Sequence, residues 1–214
     1  MVSLQSLAHT ALVVVDVQND FCPGGALAVP MGDEVVHLVN SLMPLFSHIV
    51  LTQDWHPRGH CSFASSHGKP PFSMDEENPS RGILWPDHCV AGTKGADFHP
   101  GLRVDLAHLI LRKGTRIGLD SYSAFFENDG TTPTGLFGWL NNLGLTRIFV
   151  LGLATDYCVK ATAVDGARLG LEVAVIPQAS RPVSVSPSDE AEAIHAMQAA
   201  GCAVMPMADL RSQG

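Results

Sequence analysis

The sequence lacks the features that mark nucleic-acid-binding and membrane proteins. Its 214 residues include 13 Lys and Arg against 21 Asp and Glu, a formal net charge of -8, and no run of basic residues. This balance argues against nucleic acid or an anionic membrane surface as the main partner. The N-terminal apolar run is far shorter than the roughly 20 residues that span a bilayer, and no basic leader precedes it. We therefore expect a cytoplasmic protein that binds a small molecule.

Paired cysteines are also missing. The chain has five cysteines, none in a CxxC arrangement, at Cys22, Cys61, Cys89, Cys158 and Cys202. An odd number without paired spacing argues against a disulfide framework or a structural zinc module. At least one thiol is therefore available for chemistry.

Short apolar runs suited to buried strands are what the sequence does contain. They read ALVVVDV, HIVLTQD, HLILRKG, RIFVLGL, LEVAVIP and CAVMPM, and helical patterns separate several of them. Continuous apolar runs are typical of parallel strands buried on both faces, and parallel neighbours need crossover connections. The alternation predicts one α/β domain over residues 1–214, a three-layer α/β/α sandwich around a six-stranded, mainly parallel sheet.

Two helices can be placed by their spacing and stop signals. A helix over 32–46 is predicted to end or kink at Pro44. Another over 186–200 is predicted to begin with Ser186 as its cap and to stop at Gly201.

One interval, residues 55–107, breaks the alternation. It shows little periodicity and much Pro, Gly and His. Long irregular insertions in compact domains are usually functional or disordered. The aromatic and histidine content predicts that most of this insertion is ordered around a site.

Three strand ends offer chemistry to one edge of the sheet. Asp16 closes the first run, where we expect it to be half-buried, and Lys113 closes the third. A helix starting near Thr155 or Asp156 would place Cys158 in its first turn, where the helix dipole and a nearby ammonium favour the thiolate. Taken singly, these residues also suit a turn acid, a surface cation and a core thiol. Since no histidine ends any of these runs, Asp16 is the expected base.

Several motifs together resemble one enzyme family. They read DVQNDF, DWHP, WPDHCV, RKG followed by DSYSAF, and GLATDYCVKATAVDG. The combination resembles the isochorismatase-like cysteine hydrolases and, within them, the nicotinamidases, also called pyrazinamidases. The resemblance extends from Leu12 to about Pro177. It implies a six-stranded parallel sheet between helices and an Asp-Lys-Cys triad at Asp16, Lys113 and Cys158.

The same resemblance implies one divalent metal ion beside the triad. Its ligands would be Asp54, His56 and His88, and residues two apart in an extended segment point to the same face. A carboxylate and two imidazoles suit zinc, iron or manganese. His60 could be a further ligand, although a loop histidine is the simpler interpretation. Some relatives have a histidine where this chain has Ser62, which leaves the full coordination shell open.

The resemblance also assigns an oxyanion hole and a substrate pocket. Backbone N–H groups of Ala154 and Cys158 would form the oxyanion hole, with a cis peptide bond between Leu153 and Ala154. The residues expected to bind substrate are Phe21, Trp85, Tyr122 and, more weakly, Asn19. Cys22, in a Pro-Gly turn without a helix start, is the rival thiol.

The implied reaction is hydrolysis of nicotinamide to nicotinate and ammonia through a thioester, with pyrazinamide as a second substrate and a role in NAD salvage. Two alternatives stay open. A related enzyme acting on a carbamoyl or ureido amide or on isochorismate would lack the DWHP and WPDHC pair. A catalytically silent metal-binding or redox-buffering protein would lack an intact triad. Self-association is a weak expectation.

Overall fold

A computed structural model of the chain contains one six-stranded sheet. The structure describes residues 7, 9–78 and 82–211; residues 1–6, 8, 79–81 and 212–214, which the single-domain prediction includes, lie outside the described residues. Each strand pairs in parallel with its neighbours, in the order β3-β2-β1-β4-β5-β6. The strands are β1 (Thr10–Val15), β2 (Ile49–Asp54), β3 (Leu109–Lys113), β4 (Arg147–Leu153), β5 (Glu172–Arg181) and β6 (Ala203–Val204).

The central strand β1 shows why a continuous apolar run forms a strand here. All six of its residues are buried. Successive side chains of a strand point to opposite faces. Leu12 and Val14 accordingly pack in one hydrophobic cluster, whereas Ala11, Val13 and Val15 pack in the other. Both faces of the sheet are therefore covered.

Helices supply the two covers. They are α1 (Glu34–Leu42), α2 (Leu136–Asn142), α3 (Lys160–Arg168), α4 (Asp189–Ala199) and the short α5 (Ala208–Arg211). Buried residues of α1 join the cluster on one face, and those of α2, α3 and α4 join the cluster on the other. The predicted three-layer α/β/α arrangement is confirmed. No helix within the described ranges is long and apolar enough to cross a membrane.

Some predicted details were wrong. Strand β3 is not buried on both faces, because it lies at the edge of the sheet and leaves Ile110 45% exposed. Strand β5 continues through Pro177 to Arg181. The last long helix starts at Asp189 rather than at 186. Its N-cap residue is Ser188, whose side chain makes no capping hydrogen bond. Pro44 follows the end of α1, in a 3₁₀ turn, as expected.

The insertion over 55–107 is built of turns rather than long elements. Its 3₁₀ turns are Ala64–His67, Lys94–Ala96 and Val104–Leu106. Single parallel bridges join His56 to Val90 and Phe63 to Trp85. These bridges bring residues 85–90 beside residues 56–63, which follow the carboxyl end of β2.

The strand order reverses between β1 and β4, which lie side by side in the sheet. In open α/β sheets, ligands bind outside the carboxyl ends of the strands at such a reversal. Asp16 follows β1 directly, and Cys158 lies in the turn after β4. The topology therefore brings these two side chains to the same crevice.

Candidate active site

Lys113, the last residue of β3, joins the charged groups of the crevice. Its buried ammonium lies 2.9 Å from Asp16 Oδ2, 2.5 Å from Asp54 Oδ1 and 3.4 Å from Cys158 Sγ. It also donates to the Ser121 carbonyl at 2.9 Å. Burial lowers the pKa of Lys113, but the two carboxylates outweigh it and hold this pKa well above its usual value. Lys113 is therefore a permanent cation that links the two acids to the thiol.

Cys158 lies in a π-helical turn, Thr155–Val159, that leads into α3. The helical stretch begins at Thr155, as predicted, and the Leu153–Ala154 peptide bond is cis, as predicted. The thiolate expected from the helix dipole is not favoured, however. Burial raises the pKa of the Cys158 thiol well above its ordinary value, and although Lys113 lowers this pKa, Asp16 raises it further. The resting side chain is therefore a thiol.

Asp16 is completely buried rather than half-buried. Burial raises the pKa of its carboxyl, Lys113 lowers it and Asp54 raises it, with a net pKa of about 6. The carboxylate also accepts a hydrogen bond of 2.6 Å from the Thr52 hydroxyl, which fixes its orientation. Asp16 is thus ionised at neutral pH and basic enough to take a proton from a thiol that touches it.

Asp54, His56 and His88 converge beside this group. One ligand atom from each lies within 4.8 Å of those of the other two, and all three residues are buried. Asp54 Oδ2 is 3.5 Å from His56 Nε2 and 4.0 Å from His88 Nε2. The His56 Nδ1 faces the Gly114 carbonyl at 2.9 Å, which leaves Nε2 free for an ion.

Asp54 and His88 are in forms that suit a cation, whereas His56 would have to give up a proton to an ion. Burial lowers the pKa of His56, but the adjacent Asp54 carboxylate outweighs burial and raises this pKa. Burial would raise the pKa of Asp54, yet Lys113 and His56 hold that pKa well below its usual range. Burial, and the neighbouring His56, lower the pKa of His88 to about 4. An ionised carboxylate and a neutral imidazole are the forms that bind a divalent metal. The three residues fit such an ion.

His60 lies in an irregular loop, in line with the simpler interpretation of the sequence, but it is not exposed to solvent. It is fully buried and its ring stacks on that of His56 with centroids 4.2 Å apart. Its Nδ1 faces the Ser62 hydroxyl at 2.8 Å, and its Nε2 faces the Leu119 carbonyl at 3.2 Å. Because both ring nitrogens have partners, His60 supports His56 rather than offering a free ligand atom. Ser62 faces His60 in the same way.

A small cavity opens onto Cys158, His56 and His88. Phe21, Trp85 and Tyr122 line it, as expected, and Ala154 lies in its wall. The Trp85 indole N–H donates to the Tyr122 hydroxyl at 3.0 Å, so the two rings hold each other in place. The cavity is small and aromatic, which suits a flat ring.

Asn19 and Cys22, two weaker candidates, lie elsewhere. The Asn19 amide donates to the Lys94 carbonyl at 2.7 Å, and both candidates line a separate surface cleft. Asn19 was therefore assigned to the substrate pocket wrongly. Burial, together with Asp33, raises the pKa of the Cys22 thiol to about 11, so this thiol is protonated and away from the crevice.

Four further residues line the cavity without having been predicted from the sequence: Leu27, Asp120, Tyr157 and Val183. Tyr157 precedes Cys158 and its ring meets Trp85 at 4.8 Å. Asp120 is the first residue of the DSYSAF motif. The motif was recognised in the sequence, but this acid was assigned no role. Leu27 and Val183 come from segments without a polar signal, and only the packing brings them to the cavity.

Gly114, just after Lys113, allows the candidate metal ligand His56 to approach. Its φ is +61°, and a Cβ there would overlap the His56 ring. Gly152 likewise allows β4 to lie close to β1, because a Cβ there would overlap the Val15 backbone. Both close approaches require glycine.

Comparison with known sequences finds relatives over most of the chain. The model of the isochorismatase domain matches residues 10–209. A nicotinamidase of Acinetobacter baylyi is 48% identical over 181 residues, covering 84% of this chain and 85% of the relative. A nicotinamidase of Escherichia coli is 43% identical over 203 residues, covering 93% and 95%.

Comparison with solved structures also finds nicotinamidases and pyrazinamidases. A nicotinamidase and pyrazinamidase of Acinetobacter baumannii superposes with a TM-score of 0.89 at 44% identity, covering 94% of this chain and 98% of the other. The yeast nicotinamidase bound to the inhibitor nicotinaldehyde has a TM-score of 0.85 at 34% identity, covering 92% and 99%. A pyrazinamidase of Pyrococcus horikoshii in complex with zinc has a TM-score of 0.75 at 37% identity, again covering 92% and 99%.

Proposed function

The chain belongs to the isochorismatase-domain family, and we propose that it is a nicotinamidase that hydrolyses nicotinamide to nicotinate and ammonia. The observation that carries this proposal is the aromatic cavity that ends on Cys158, with Lys113 and Asp16 behind the thiol and three metal-ligating side chains beside it. A thiol nucleophile with an adjacent base is the arrangement of covalent acyl transfer.

The first half of the reaction uses the thiol and Asp16. The substrate enters the cavity with its carboxamide at Cys158. As sulfur attacks the carboxamide carbon, the thiol proton passes to Asp16, and Lys113 stabilises the developing thiolate. Backbone N–H groups of Ala154 and Cys158 hold the negative oxygen that forms; such a donor is worth roughly 3–4 kcal/mol in acyl-transfer enzymes.

The second half returns the enzyme to its starting state. Protonated Asp16 gives its proton to the departing nitrogen, the carbon–nitrogen bond breaks, and ammonia leaves a thioester on Cys158. Asp16 then takes a proton from the water that attacks the thioester carbon. Sulfur leaves, recovers that proton from Asp16, and nicotinate is released. One carboxylate therefore serves as base and acid in turn.

Asp54, His56 and His88 would hold one divalent metal ion. When bound, such an ion would supply a Lewis acid to the nitrogen-containing ring of the substrate. The zinc complex of the Pyrococcus horikoshii relative supports zinc, and iron or manganese suits the same ligands. Aromatic side chains Phe21 and Trp85 flank the ring.

Pyrazinamide is the second expected substrate. It differs from nicotinamide by one ring nitrogen in place of a ring carbon, so it fits a flat slot of the same shape. A relative from Mycobacterium tuberculosis that is 38% identical over 179 residues is a nicotinamidase/pyrazinamidase. The role in NAD salvage, the cytoplasmic location and self-association stay predictions.

Ammonia release from nicotinamide by the purified, metal-loaded protein tests the proposed function. We expect turnover that disappears after chelation and returns with added zinc, iron or manganese. Ureido and carbamoyl amides serve as comparison substrates. Turnover of those amides with nicotinamide left intact would assign the chain to another activity of the family.

A further inference from the structure

Asp120 is a buried acid of the cavity to which the reaction above gives no part. Its side chain is only 5% exposed and lines the cavity. One carboxylate oxygen, Oδ1, accepts the Ser121 N–H at 2.8 Å, whereas Oδ2 has no hydrogen-bond partner. Leaving such an oxygen buried and unpaired costs free energy unless a bound group satisfies it.

The position of Asp120 identifies the kind of group that is missing. A ligand atom of Asp120 lies within 4.8 Å of those of His56 and His60. His56 is also one of the three residues that would hold the metal ion, and both nitrogens of His60 already have partners. The Asp120 carboxyl group therefore lies beside the candidate metal site, on the His56 side.

Charge balance favours a cation near this carboxyl group. Three buried carboxylates, Asp16, Asp54 and Asp120, surround the crevice, and among the described residues Lys113 is the one buried lysine or arginine. Asp54 already shares its charge with Lys113 at 2.5 Å. Lys113 also pairs with Asp16 at 2.9 Å, so no buried lysine or arginine of the described residues remains for Asp120.

The backbone holds Asp120 firmly in this place. The Asn128 N–H donates to its carbonyl at 2.7 Å, and Lys113 donates to the neighbouring Ser121 carbonyl at 2.9 Å. His60 Nε2 lies 3.2 Å from the Leu119 carbonyl on the other side. Asp120 is thus fixed before any ion binds.

Taking the proposed function as its basis, we propose that Asp120 is a positioning residue of the metal centre. Its free oxygen accepts a hydrogen bond from a water molecule on the ion that Asp54, His56 and His88 hold. This contact adds negative charge and fixes the water, and partners of this kind typically change metal affinity 10- to 100-fold. Asp120 does not transfer a proton in the reaction.

The test measures zinc affinity directly, by competition with a chelating dye, in the full-length chain and in Asp120→Asn. We expect zinc to bind at least about 10-fold more weakly to Asp120→Asn. The matched control is Glu127→Gln, because Glu127 is another buried acid of the same loop with an unpaired oxygen but lies outside the cavity and the metal-ligating groups. Its zinc affinity should stay within about twofold.

Substitution of cobalt(II) separates a water-mediated contact from a direct bond. The visible bands of the cobalt protein should keep their positions and intensities in Asp120→Asn, because the ligands bonded to the metal do not change. Bands that shift to those of a different coordination number would overturn the proposal in favour of direct ligation.

Unchanged zinc affinity in Asp120→Asn would also overturn the proposal, and a raised KM for nicotinamide in that case would assign Asp120 to the substrate. The circular dichroism and thermal midpoint of the metal-free variant check that it folds. Because zinc binding is measured without substrate, these outcomes do not depend on whether the unsubstituted enzyme hydrolyses nicotinamide.

Discussion

At the scale of single residues, Lys113 holds the site together. Lys113→Met would leave Asp16 and Asp54 facing each other without their cation, and removing one partner of a buried ion pair costs about 3–5 kcal/mol. We expect a loss of that size in the free energy of unfolding, measured with urea in chelator. The control Lys69→Met removes an exposed lysine 3.6 Å from Glu76 and should change stability by less than about 1 kcal/mol. Equal losses in both variants would contradict this account.

Cys158 and Cys22 give a matched pair of buried thiols. Cys158→Ala should lower kcat for nicotinamide by about 10⁴-fold or more, because the covalent route is lost. Cys22→Ala, in the separate cleft, should keep kcat within about twofold. Ammonia release and a trapped thioester, detected by mass spectrometry in acid-quenched samples, are the two measurements. A thioester on Cys22 would refute the assignment.

The pH dependence of the reaction reports on Asp16. Its pKa is raised to about 6, mainly by burial, and it must be ionised to accept the thiol proton. The value of kcat/KM, measured on the metal-loaded enzyme, should therefore rise with pH through a step near pH 6 and fall away below it. A step near pH 4, the ordinary range for Asp, would show that burial does not control this group.

Reactive residues at strand ends could be predicted from the sequence. Properties that depend on how the chain packs could not. Asp16, Lys113 and Cys158 follow strands that meet at one edge, so their proximity could be predicted. The burial of Asp16 and the protonated state of Cys158 could not, because both depend on what covers the crevice. Asn19 illustrates the opposite error, since its place near Asp16 in sequence did not bring its side chain into the cavity.

At the scale of elements, the loop after β3 determines how closely His56 can approach. Gly114→Ala introduces a Cβ that overlaps the His56 ring at a φ of +61°, and the left-handed backbone alone costs a non-glycine residue about 1–2 kcal/mol. We expect lower thermal stability and at least tenfold weaker zinc binding. Gly118→Ala is the control, because a Cβ there meets nothing within 4 Å. Normal zinc binding by Gly114→Ala would contradict the required approach.

The predicted elements differ from the observed ones for identifiable reasons. Strand β1 could be predicted closely, because burial on both faces gives an unbroken apolar run. The exposure of β3 followed from its edge position, which no local pattern reveals. Strand β5 continues past Pro177 to Arg181, whereas the predicted run ended at this proline, which lacks a backbone N–H. The short α2 was not predicted, since Gly138 and the asparagines Asn141 and Asn142 within it weaken its helical pattern.

At the scale of the whole molecule, the metal ligands connect distant parts of the chain. Asp54 ends β2 and His56 follows it, whereas His88 lies much later in the insertion, close to the bridge that joins His56 to Val90. A ligand that binds only the folded state stabilises it, by about 2.7 kcal/mol at a concentration 100 times Kd. Zinc added to the chelated protein should therefore raise the thermal midpoint by several degrees.

The variant His88→Ala provides the control for this shift. It lacks one of the three ligands, so the same zinc concentration should leave its midpoint nearly unchanged. Differential scanning fluorimetry in chelator and in zinc gives both values. A full shift in His88→Ala would place the stabilising ion at another site.

The reversal of strand order also has a consequence for synthesis of the chain. Strand β1 pairs with β2 on one side and with β4 on the other, and β4 extends only from Arg147 to Leu153. A ribosome therefore releases β1 and β2 long before the strand that covers the other edge of β1. Until β4 emerges, that apolar edge is open to pairing with other chains. The second edge of β1 therefore stays unpaired until residues 147–153 have been translated, and the sheet is complete only after β6, close to the end of the 214 residues.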